Sequence, residues 1–130
     1  MGSNVPRREL RADTQALLKT VLNTLDNKKG EDVLVLQVGE ISTLADLFVL
    51  VSGTNPRHCD TLVEAVIEAV GDTGIKPYGT EGSGTGWSLI DFGDVVVHVF
   101  EPAVREYYDI ERLWMDAPRL GQTTGAQAAS

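Results

Sequence analysis

The chain has 130 residues, 42% of them hydrophobic, and sets 11 Lys and Arg against 19 Asp and Glu for a formal charge of -8, which is one domain's length with apolar residues enough for one core. One cysteine, Cys59, excludes an intramolecular disulfide and every multi-cysteine zinc motif, and the longest apolar run, residues 47–51, falls far short of the roughly 20 residues of a membrane span. The polar, mixed-charge first 30 residues carry no secretory signal, and Pro6 stands where a myristoylation motif wants Ser or Thr, so a reducing cytoplasm is the expected compartment.

Residues 1–9 read as a flexible N-terminus. From residue 10 to 26, Leu10, Leu17, Leu18, Val21, Leu22 and Leu25 follow the period of an amphipathic helix. Lys28, Lys29 and Gly30 end it, with positive charge at the negative helix terminus and a glycine beyond. Residues 33–38 are apolar and β-branched, a strand. Residues 47–52 are apolar at successive positions, which predicts a central strand buried on both faces. Asn55 and Pro56 suit the cap and first position of a second helix, whose stripe of Cys59, Leu62, Val63, Val66, Ile67 and Val70 is closed by Gly71 and Gly74. A short strand at 76–80, a glycine-rich loop, and strands at 87–91 and 95–100 around a tight turn at Phe92-Gly93-Asp94 come next. Glu101-Pro102 opens one last helical stretch, which Pro118 closes, and residues 119–130 read as a disordered tail. The order is αββαβββα, an α/β single domain with a mixed five-stranded sheet.

Little in this chain reads as catalytic machinery. The glycine-rich residues 79–86 lack the Gly-Lys-Ser/Thr ending of a P-loop, and they precede a strand rather than a helix N-terminus. Asp91 and Asp94 are three apart across a turn, whereas carboxylates sharing a metal on a strand sit two apart. No metal or cofactor is expected, and Asp94 is read as closing the Gly93 turn. His58 and Cys59 are adjacent on a helix and point about 100° apart, so they make no nucleophilic pair, and Cys59 is read as core. His98, between Val96 and Phe100 on an apolar strand, reads as a hydrogen-bonded core or sub-surface group, with a contact role at the sheet edge as the alternative. Tyr108 and Trp114 read as helix packing anchors. Trp87 differs: it follows a glycine-rich loop that cannot bury it fully, and a partly exposed Trp suits a protein-binding hot spot.

Charge points to the same class of function. Residues 1–30 carry six basic and three acidic side chains, whereas residues 31–118 carry four basic and sixteen acidic, a net of -12. Such a body repels phosphate backbones, which disfavours DNA and leaves little direct contact with RNA, and favours a basic protein partner.

Particular residues then carry a resemblance. The run from Asp32 to Val38, Ser42, Asp46, Ser52-Gly53-Thr54 and Arg57-His58 resembles the ribosomal silencing factor family, also called Iojap-like. So do Glu81-Gly82, Trp87, Asp91 and the more distinctive run from Gly93 to Phe100 through His98. Arg105, Tyr108, Ile110-Glu111, Leu113-Trp114 and Asp116-Ala117-Pro118 complete a match over residues 10–118. The resemblance implies a translational repressor, not an enzyme. It would bind the large ribosomal subunit through large-subunit ribosomal protein fourteen and block joining of the small subunit under nutrient limitation. Organellar members act in large-subunit assembly. It also implies a scaffold like that of nucleotidyltransferases, which keeps a nucleotide- or metal-binding protein as the alternative, although their Asp-x-Asp pair is nowhere in this sequence. The docking surface is expected at Trp87, Asp91 and Asp94, bordered by Glu81, His98 and Tyr108, and a homodimer when free is compatible with the sequence.

Overall fold

The computed structural model describes residues 11–39 and 45–123; the expected flexible N-terminus, Ser42 and residues 124–130 lie outside the described residues. The first helix, α1 (Ala12–Asn27), buries Leu17, Val21 and Leu25, one per turn. It ends as Lys29 enters the left-handed region and the Gly30 N–H reaches back to the Leu25 carbonyl at 2.7 Å. Strands β1 (Glu31–Gln37) and β2 (Leu47–Ser52) follow. Every residue of β2 is buried, as its unbroken apolar run predicts. Asn55 caps α2 (Pro56–Gly71) by accepting the His58 N–H at 2.8 Å, with Pro56 in the first turn. Cys59, Leu62, Val66 and Val70 form its buried stripe.

Strands β3 (Gly79–Glu81), β4 (Trp87–Asp91) and β5 (Val95–Phe100) form one half of a sheet ordered β3-β4-β5-β2-β1-β6. Only β2 and β5 run parallel among these neighbours, and the α2 crossover between them makes that possible. Strand alternation splits the core into two layers. Val49, Val51, Ile90, Val95, Val97 and Val99 pack under α1 and α2. Leu34, Leu36, Phe48, Leu50, Val96 and Phe100 line the other face, which α3 (Pro102–Tyr108) and α4 (Ile110–Leu113) partly cover through Val104, Ile110 and Trp114.

Three expectations need correction. The sheet has six strands rather than five, because Arg119–Thr123 is not disordered but pairs antiparallel with β1 as β6; β1 would otherwise be an edge with unpaired backbone groups. The last helical stretch is two helices, because Asp109 adopts φ 48° and turns the chain between them. Asp94 does not close the Gly93 turn. Asp91 does, accepting the Gly93 N–H at 2.8 Å from two residues upstream, while Asp94 reaches across to accept the Thr14 hydroxyl of α1 at 3.1 Å.

Candidate protein-docking face

The face bearing α3 and α4 remains open at one end of the sheet. Pairing register puts Glu81, Leu89, His98, Leu50 and Leu34 in one row across it. Trp87 lies opposite Phe100 in the next row of that face, and Asp91 opposite Val96 in the row on the other side. Trp87, Leu89 and Asp91 therefore share one side of β4, where the tryptophan and leucine are half-buried against the second core layer.

The geometry around Trp87 is specific. Its ring stacks on Phe100 with centroids 5.1 Å apart and 28° between planes, and it meets Tyr108 of α3 at 5.0 Å. Tyr108 is 52% exposed and leads on to Tyr107, at 5.0 Å from it and 80% exposed. The glycines that precede Trp87 have a local reason. Gly82 sits at φ 85° with the Trp87 carbonyl packed where a Cβ would be, so the loop can approach the strand only with glycine there.

The six expected site residues separate. Trp87 and Tyr108 touch, Glu81 is exposed on the adjoining strand, and Asp91 borders the same face, roughly 13 Å along β4 from Trp87 at a strand's rise per residue. Asp94 is not brought to this face; it holds the start of α1 and lies 3.8 Å from Arg11. His98 is 4% exposed and lies behind the face rather than on it. Leu89 was not among the expected residues, yet it occupies the centre of the row between Glu81 and His98. Strand alternation from Trp87 was the signal that places it there.

His98 accepts the indole N–H of Trp87 at Nδ1, 3.1 Å away, so its proton resides on Nε2. Burial pushes its pKa down from 6.5 to about 4. An unfolded imidazole takes up its proton near pH 6.5, while the folded one resists until about pH 4. Stability is therefore full above that window and falls as pH drops through it. The loss amounts to about 3 kcal/mol and stops growing below the folded value. Chemical denaturation of the parent and His98→Asn between pH 7 and pH 4 checks this: the variant should lose most of that slope, and an identical slope would refute the assignment.

His58 and Cys59 serve the fold. His58 accepts the Thr54 N–H at 2.9 Å and donates to the Lys28 carbonyl at 2.8 Å, tying the start of α2 to the end of α1. Cys59 is buried, and its thiol pKa is raised by that burial. Ser52 and Gly53 are engaged within the fold, the Gly53 N–H donating to the Phe100 carbonyl at 2.9 Å. The Ser52 hydroxyl is held by Arg105 at 3.0 Å, and Cys59 fills the space a Cβ on Gly53 would need. A cleft of about 360 Å³ between α2 and the glycine-rich loop is lined by Asp60 and Glu64 of α2, carboxylates that repel a phosphate rather than bind it.

The chain is thus an acidic single-domain α/β protein with an aromatic face bordered by carboxylates. Its family is shown by comparison: residues 11–130 match the model described as ribosomal silencing factor during starvation. A ribosomal silencing factor of Halalkalibacterium halodurans is 39% identical over 107 residues, covering 82% of this chain and 92% of that one. The chloroplastic Iojap protein of Zea mays is 31% identical over 93 residues, 68% of this chain and 39% of that one. A crystal structure of a Chromobacterium violaceum protein superposes with a TM-score of 0.74 at 37% identity, over 77% of this chain and 84% of that one. The chain belongs to the ribosomal silencing factor family, and a ribosome-associated silencing role comes with it.

Proposed function

We propose that this protein docks on the large ribosomal subunit, through large-subunit ribosomal protein fourteen, with the face built on Trp87, Leu89 and Tyr108. Glu81 and Asp91 form its acidic rim. The observation that carries the reading is the aromatic face on a body of net charge -12. A body so acidic cannot grip RNA phosphates by charge, whereas a basic ribosomal protein is steered toward it. Silencing then needs no chemistry: a 14.1 kDa body at the subunit interface excludes the small subunit by volume. The site of action is the cytoplasm. Among the described residues no helix is long and apolar enough to cross a membrane. The scaffold is of the nucleotidyltransferase type, supported by the element order; Ser52-Gly53-Thr54 before α2 echoes the Gly-Ser pair of those enzymes only in reversed order, and their Asp-x-Asp pair is absent from the sequence.

Co-sedimentation tests the reading. The protein should travel with free large subunits and be missing from polysomes, and equal binding to small subunits would overturn it. Salt gives an independent check. Charge-steered association should slow as ionic strength rises past about 0.15 M, where the Debye length is about 8 Å, while dissociation changes little. Stopped-flow or surface-based kinetics at several salt concentrations would read this directly, and a flat association rate would remove the electrostatic part.

A further inference from the structure

Val96, His98 and Phe100 share one face of β5, and the middle one is the exception: a buried imidazole at a position whose neighbours are apolar. It is held from several sides. Phe48 meets it edge-on at 4.7 Å, Phe100 lies parallel to within 11° at 6.2 Å, and the Trp87 indole donates to Nδ1. Nε2 is buried without a hydrogen-bond partner among the described residues. A histidine kept for packing alone is a poor choice here, because it leaves its own Nε2 donor orphaned in an apolar layer. What the imidazole supplies that no apolar side chain can is an acceptor for the indole N–H.

We propose that His98 is a positioning residue for docking: its Nδ1 fixes the Trp87 indole against Phe100 and Tyr108, so that the ring meets the ribosomal partner already oriented. The inference rests on the docking reading above. A side chain ordered before association does not lose that freedom on binding, and the saving corresponds to about three- to tenfold in affinity.

Two substitutions in the full chain separate orientation from packing. His98→Leu removes the acceptor, while His98→Asn keeps an oxygen near the place of Nδ1. The readouts are the indole N–H resonance of Trp87, assigned with Trp87→Phe, its hydrogen exchange, and affinity for isolated large subunits. His98→Leu should shift the resonance, speed its exchange and weaken binding about three- to tenfold, and His98→Asn should recover most of both. Parental affinity in His98→Leu, or equal weakening in both variants, would overturn the proposal. Should His98→Leu not fold, Trp87→Phe decides: it keeps an aromatic ring but removes the N–H together with the fused five-membered ring, so it should weaken binding at least as much, and parental affinity would refute the role. Should Trp87→Ala stay folded and bind as the parent does, the docking reading itself fails; should it lose binding while the His98 variants do not, only this inference fails.

Discussion

Trp87→Ala is expected to lower affinity for the large subunit by about 30- to 1,000-fold, the loss that follows truncation of a central interface tryptophan. The ring is half-buried, stacked on Phe100 and leaning on Tyr108, with its polar edge already satisfied by His98. An arrangement of that kind leaves an indole face for the partner without a desolvation cost for the N–H. The stability cost should stay below the about 3–5 kcal/mol of a fully buried aromatic, because the helical layer under α1 and α2 does not involve this residue. Thermal midpoint and large-subunit affinity measured on the same preparation distinguish the two effects. A folded variant that binds as the parent does would take Trp87 out of the site.

Arg105→Ala should be the more damaging change for stability, at about 2–4 kcal/mol and a thermal midpoint lower by about 10 °C. The guanidinium joins three elements. Nε binds Glu111 of α4 at 2.8 Å, and Nη1 donates to the Asp32 carbonyl of β1 at 2.8 Å and the Ser52 hydroxyl of β2 at 3.0 Å. Its side chain is 13% exposed, so water does not readily replace those partners. Asp32 is also held at φ 52°, where the β1–β2 register shifts, and the Arg105 bond secures that strained carbonyl. Arg105→Lys should recover only part of the loss, since an ammonium cannot present the planar fork that spans these directions. A midpoint within about 2 °C of the parent for Arg105→Ala would show that the latch adds nothing to stability.

Local pattern was enough for α1, α2 and the central strands. The spacing of Leu17, Val21 and Leu25, the Asn55-Pro56 start, and the unbroken apolar run of β2 each follow from neighbours within a few residues, and the charge balance follows from composition. The tail escaped because Arg119–Thr123 has little strand propensity of its own; β1, 83 to 90 residues earlier in the chain, is what makes it a strand. The break at Asp109 escaped because the amphipathic pattern continues across it, while Ile110 must turn inward to reach the second core layer.

The docking face divides in the same way. Trp87 as a candidate was legible from its glycine-rich approach, and Leu89 follows from alternation once β4 is a strand. That Asp94 belongs to α1, that Arg105 latches β1 and β2 to α4, and that His98 is the acceptor behind Trp87 rather than a contact were decided by tertiary structure alone. Periodicity reports which side of an element a residue occupies; it carries no information about which element arrives opposite, and the partner of a polar side chain is set by that arrival.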